Sequence, residues 1–169
     1  MKKIILALVT VFVFTSCDQQ KIAFIDNGEL INDYQGKIDI EAKFKVKDSL
    51  FKKDTDSIGM AFQKEVKNYQ MNGAKMSTKK RQETEQQLGQ KQQMLQQQIQ
   101  MQQQAMQQEF QVAIDSALVK VKDFVTDYGK KNNYTYILGK NEAGSVMYGS
   151  DTNDITKEVT EALNATYTK

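Results

Sequence analysis

Few side chains in this sequence are equipped for covalent or acid–base chemistry. Among its 169 residues there is no His, no Pro, no Trp and a single Cys, Cys17. The missing imidazole removes the commonest general base at neutral pH. One thiol allows neither an internal disulfide nor a cysteine-rich zinc site. Carboxylates remain, but no nucleotide motif and no catalytic, cofactor-binding or metal-ligating constellation accompanies them, and the composition argues against an enzyme. Three other groups stand out. Lys75, Lys79, Lys80 and Arg81 form a basic cluster, Met71, Met76, Met94 and Met101 offer polarizable thioethers, and Gly59 and Gly89 each interrupt a run that otherwise avoids glycine. What these residues do depends on the elements that hold them.

Cys17 is the first to acquire a context. Lys2 and Lys3 precede an apolar run from Ile4 to Phe14. That run is shorter than the about 20 residues a membrane-spanning helix needs, and it fits the apolar region of a secretory leader. Phe14-Thr15-Ser16-Cys17 resembles the lipobox of bacterial lipoproteins, with Phe14 in place of the usual leucine. The resemblance implies that residues 1–16 are a signal peptide that is removed, and that Cys17 is lipidated and becomes the mature N-terminus, holding the chain to a membrane. Without Lys2 and Lys3 the chain carries 21 basic and 21 acidic side chains. Distribution is therefore more informative than total charge. Lys67, Lys75, Lys79, Lys80 and Arg81 follow one another with no acid between them.

The elements follow from periodicity. Lys21-Ile22-Ala23-Phe24-Ile25-Asp26 reads as a strand buried on both faces, and Asn27-Gly28 breaks it. From Glu29 to Met71 the apolar residues Leu30, Tyr34, Ile38, Phe44, Phe51, Ile58, Phe62, Val66 and Tyr69 recur at helical steps. The stripe is thin, with Asp48 and Thr55 on it. Asn72-Gly73 signals a helix stop through the left-handed conformation, and Ser77 or Thr78 can cap a second helix. This helix, from about Thr78 to Asn132, keeps Leu88, Leu95, Ile99, Met106, Phe110, Ile114, Leu118, Val121, Val125 and Tyr128 in register. Sixteen of residues 82–111 are Gln, which is a good helix former, so the tract reads as helix rather than disorder.

Two helices joined by so short a turn run antiparallel. A turn centred near residue 75 predicts pairs whose numbers sum to about 150: Phe62 with Leu88, Phe51 with Ile99, Phe44 with Met106 and Ile40 with Phe110. Gly59 and Gly89 then fall at nearly one height. They are either two accidents or a flexible level at which the distal arm swings. After the hairpin, Tyr134–Leu138 and Ser145–Tyr148 read as strands, and Asp151-Thr152-Asn153-Asp154 caps a last helix with Ile155, Val159 and Leu163 on its apolar face. The expected fold is mainly α with a small β body. A three-stranded base from residues 21–27 and 134–167 carries a hairpin arm over 29–132, with its tip at about 72–78, all in one domain over 17–169.

The opening strand, the long helical pair, Asn133-Tyr134-Thr135-Tyr136-Ile137-Leu138 and the helix start Asp154-Ile155-Thr156-Lys157-Glu158-Val159 occur in one order. In that order they resemble the Skp/OmpH family of periplasmic outer-membrane-protein chaperones over essentially the whole mature chain. Asn133 stands where the family often has Gly, and a lipid anchor departs from its soluble members. The resemblance implies a homotrimer whose arms enclose unfolded outer-membrane or envelope proteins, an ATP-independent holdase in the periplasm with no cofactor. A small core is marginal alone and open sheet edges invite pairing, so a trimer through the base is physically reasonable. Met suits surfaces that accept many partners, so Met71, Met76, Met94 and Met101 are candidate client contacts, against a reading as gap-fillers or plain solvent exposure. The basic cluster at the tip either steers acidic clients or anionic headgroups or is a solvated tip. Nucleic acid is not expected as a partner, since no aromatic reading surface accompanies the cluster. The alternative from another class is a structural coiled-coil spacer tethering parts of the envelope.

Overall fold

The computed structural model describes residues 20–168; the leader and Cys17 lie outside them. Strand β1 (Ile22–Asp26) is followed by helix α1 (Asn27–Asn32), the long helices α2 (Gln35–Asn72) and α3 (Thr78–Lys131), strand β2 (Tyr136–Lys140) and helix α4 (Thr156–Ala165). Short 3-10 turns lie at Gly73–Lys75 and Asp151–Asn153. The described chain forms two compact units, one of residues up to 31 with 121–166, the other of 32–120 with 167 and 168.

In the first unit β1 is the organising strand. It pairs in parallel with β2, Ile22 opposite Tyr136 through to Asp26 opposite Lys140. On its other side Phe24 bridges Asp154, and the Ile155 amide donates to the Phe24 carbonyl at 3.0 Å. Flanked on both edges, Ala23, Phe24 and Ile25 are buried, as their unbroken apolar run predicts. The expected third strand at Ser145–Tyr148 does not form, and the second edge of β1 is met by Asp154 instead. Gly144 takes a positive φ of 84°, and the Ser145 hydroxyl donates to the Gly139 carbonyl at 2.7 Å, which keeps the segment a loop. Gly149 passes so close to Phe24 that an added Cβ would sit 2.4 Å from the ring.

The helix ends in this unit are built from sequence-local chemistry. The Asp26 carboxylate accepts from the amides of Gly28 and Glu29 at 2.9 and 3.1 Å, capping α1. α3 ends in a Schellman motif. The Tyr134 amide donates to the Gly129 carbonyl at 2.9 Å, the Asn133 amide to that of Lys130 at 3.3 Å, and Asn133 is left-handed at φ 56°. Tyr134 is thereby part of the cap and stacks on Tyr128, so β2 starts two residues later than propensity suggests. Lys21 donates to the Asn132 carbonyl at 3.0 Å and lies 3.9 Å over the Tyr134 ring. The core is completed by Leu30, Val121, Ile155, Val159 and Leu163. Leu30 and Val159 are fully enclosed, each contributing about 1.5–3 kcal/mol by burial.

In the second unit the expected continuous helix from Glu29 is interrupted before α2. Tyr34 is extended (φ −69°, ψ 117°) and its ring lies on the first turn, where a Cβ at Gly36 would be 2.4 Å from it. Tyr34 in turn meets Tyr167 edge-on at 5.8 Å.

Thr156 joins the pieces of the first unit. Its hydroxyl accepts from the Asp26 amide at 2.8 Å and donates to the Asp154 carboxylate at 2.5 Å, which also caps the Thr156 amide at 2.9 Å. Thr156→Val keeps the shape but orphans the Asp26 amide, and a buried donor without a partner costs about 1–3 kcal/mol. The urea midpoint should fall at unchanged m-value, while Thr156→Ser, which keeps the hydroxyl, should lose much less.

Candidate functional site

The surface open to partners in the second unit is supplied by α2 and α3, and a narrow seam fixes it. Phe51, Ile58, Phe62, Val66 and Tyr69 on α2, and Leu88, Leu95, Ile99, Met106 and Phe110 on α3, are all half-buried. These are the residues the periodicity selects. Phe44 is buried and meets Phe110 edge-on at 5.1 Å. Where the stripe thins, ion pairs take over: Lys47 with Glu109 at 2.5 Å and Lys91 with Glu65 at 2.5 Å. Near the tip the Tyr69 hydroxyl donates to Glu85. Farther along α3 the seam passes through buried Ala117, leaving Leu118 exposed.

The partners lie four to six places farther along α3 than a turn centred at residue 75 predicts, so that Phe44 meets Phe110 edge-on where that turn would bring Met106. The cause is local. Gly73 is right-handed (φ −58°, ψ −35°) and donates to the Tyr69 carbonyl, and the 3-10 turn carries the path of α2 onward until Met76 (φ −84°, ψ 151°) redirects it. Gly73 serves the approach of the Tyr69 ring, 3.1 Å from where a Cβ would be, and not a left-handed turn. α2 does end at Asn72, but without a left-handed residue, and the Asn72 side chain bonds back to Asn68. In this register Gly59 and Gly89 do not share a level; they are separated by about 10 Å along the helices.

The four cations of the cluster are all exposed. Lys79, Lys80 and Arg81 occupy the first turn of α3, which holds no acid. Cations there face the positive end of the helix dipole, an unfavourable placement of about 0.3–1 kcal/mol each. The turn is secured by Ser77, whose carbonyl accepts from the Arg81 amide at 2.9 Å and whose hydroxyl accepts from the Lys80 amide at 3.3 Å. Of the methionines, Met71, Met94 and Met101 are well exposed. Met76 is half-buried beside the turn. Two exposed methionines escaped the sequence reading, Met60 (68% exposed) and Met147 (89%). Met60 could have been found, because it falls off the apolar stripe. Met147 could not, because its segment has strand propensity and forms a loop. Among the described residues no acidic or sulfur cluster could hold a metal ion, and no helix is long and apolar enough to cross a membrane.

A family model described as outer membrane protein (OmpH-like) matches residues 21–163. Among solved structures the chain is similar to a protein of Caulobacter crescentus CB15 named as a candidate OmpH-like outer membrane chaperone. The TM-score is 0.78 at 15% identity, over 88% of this chain and 86% of that one. At that identity the likeness is one of fold. No curated protein matches the sequence.

The Tyr69–Glu85 contact should be visible on titration. The hydrogen bond to Glu85 is the main cause that raises the Tyr69 hydroxyl above its ordinary 10.0, with desolvation and the Glu85 charge adding to it. A raised folded-state value means that its stabilisation is complete below 10 and is lost as pH rises through the folded value. Glu85→Gln should bring one tyrosine back toward 10 in an ultraviolet titration, and Tyr69→Phe should remove that same group from the curve. A Glu85→Gln curve identical to the parent's would show the contact absent in solution.

Proposed function

The chain belongs to the OmpH-like outer membrane protein family, and from that premise we propose that it is an ATP-independent periplasmic holdase for unfolded outer-membrane or envelope proteins. At the level of the family the role is that of a chaperone. The finer reading is supported by one observation above all. Large apolar side chains stand exposed and singly along α2 and α3, among them Leu50, Met60, Met71, Met94, Met101 and Val112. They are set among Gln and Lys rather than gathered in one patch. Such a surface offers many weak contacts and no fixed pocket, which suits capture of chains without structure. The flexible thioethers adapt to a client, and the carboxamides of Gln can serve an unpaired peptide group as donor or acceptor.

In this reading α2 and α3 form an antiparallel arm, and three chains associate through the first unit. Ile22, Tyr136 and Leu138 are exposed on β1 and β2, and Tyr148 stands 89% exposed nearby. An exposed apolar sheet of this kind is a surface another copy can cover. The lipid on Cys17 would keep the assembly at the envelope, with Lys75, Lys79, Lys80 and Arg81 attracting acidic clients at long range.

The purified protein should keep an unfolded β-barrel protein from aggregating without ATP, and the protecting species should sediment as three chains. No protection at several-fold molar excess would leave the structural spacer as the better reading. A clean monomer would rule out enclosure of a client between arms. For the anchor, Cys17→Ser should release the exported chain from membranes. A Ser variant that still fractionates with membranes after a carbonate wash would exclude lipidation as the attachment.

A further inference from the structure

Between α2 and α3, short of the turn, lies an open groove of ≈ 680 Å³ lined largely by apolar atoms. Phe62 and Val66 from α2 and Leu88 from α3 line it, together with Tyr69, whose hydroxyl is held by Glu85. Gly89 completes the lining, and a Cβ built on it meets nothing within 4 Å. Because Gly89 is part of the lining, a longer side chain at this position would add bulk at the groove, where the glycine leaves open space. This accounts for a residue that costs about 1 kcal/mol relative to Ala in a helix interior and that the turn does not require.

Charge along the stretch of α2 and α3 that includes the groove is one-sided. Residues 62–92 carry seven basic side chains against three acidic ones. Two of the acids are already engaged, Glu65 with Lys91 and Glu85 with Tyr69. The rest of α2 and α3 shows no such excess: residues 35–61 hold six basic and five acidic side chains, and 93–131 four of each. Lys67 stands on the groove itself, and Gln63, Gln70 and Gln92 supply carboxamides at its edge.

We propose that this groove is a binding site for an extended acidic polypeptide segment that seats one aromatic or large aliphatic side chain beside Gly89. The inference rests on the holdase reading and gives it a defined anchoring point. The apolar lining takes the anchor, the cations take the flanking carboxylates, and the carboxamides take the peptide groups between them.

The test uses the full chain and fluorescein-labelled peptides followed by anisotropy. One peptide carries a single Phe among Asp and Glu, a second replaces Phe by Ser, and a third replaces the acids by Lys. The first should bind at least about tenfold more tightly than the Ser peptide, the scale of one buried large apolar side chain, and more tightly than the Lys peptide, and added salt should weaken it. Gly89→Leu fills the groove and should abolish the preference for Phe while raising helicity. Gly59→Leu, at the other helical glycine with open space around it, should raise helicity and leave the preference intact. Equal affinity of Gly89→Leu and the parent, or equal loss in both variants, overturns the proposal. Aggregation suppression by the parent is measured alongside: its absence refutes the holdase reading, whereas its presence with an indifferent Gly89→Leu refutes the groove alone.

Discussion

The structure depends on the two-sided pairing of β1. A strand of five residues with Ala23, Phe24 and Ile25 buried cannot leave its backbone groups without partners on either edge. One edge is met by β2 and the other by Asp154 and Ile155, and both lie more than a hundred residues away in the sequence. Everything between β1 and β2 must therefore return the chain to its starting point. Closing so long a segment is entropically costly, but the cost grows only slowly with length. Contacts such as Tyr69 with Glu85 and Glu65 with Lys91 bridge that segment and shorten the loop that has to be closed. Thr156 then ties the end of β1 to the start of α4 through a single hydroxyl.

The seam between α2 and α3 obeys a different economy. It is one residue wide, and its apolar steps alternate with ion pairs that are exposed enough to contribute little, on the order of 0–1 kcal/mol each. Phe44 is the one large apolar residue of α2 that becomes buried. A wider stripe would hold the helices more firmly, and it would also withdraw Met60, Met94 and Met101 from solvent. The thinness that weakens the pair is what leaves apolar side chains free for a partner.

Gly36, Gly73, Gly89 and Gly149 show how differently one residue type is used. At Gly36 and Gly73 a tyrosine ring lies where a side chain would be, at Gly149 the Phe24 ring does, and beside Gly89 the space is empty. All four read alike in a sequence, as breaks or turns. Their separate roles depend on what packs against them, which neighbouring residues do not reveal.

What the sequence determined by itself is whatever local physics decides. The helical period of the two stripes, the unbroken apolar run of β1, the capping by Ser77 and Asp154, and the left-handed Asn133 all follow from residues within a few places of one another. The Skp/OmpH resemblance was legible because it rests on such local pieces, above all Asp154-Ile155-Thr156. Tertiary structure decided the rest. Ser145–Tyr148 has strand propensity but stays a loop, and the free edge of β1 is taken by Asp154 instead. The register of α2 on α3 moved by about one turn because Gly73 stayed right-handed beneath the Tyr69 ring, and this shift also separated Gly59 from Gly89. Propensity sets what a segment can become; the pairing of one edge and the packing of one ring set what it does become.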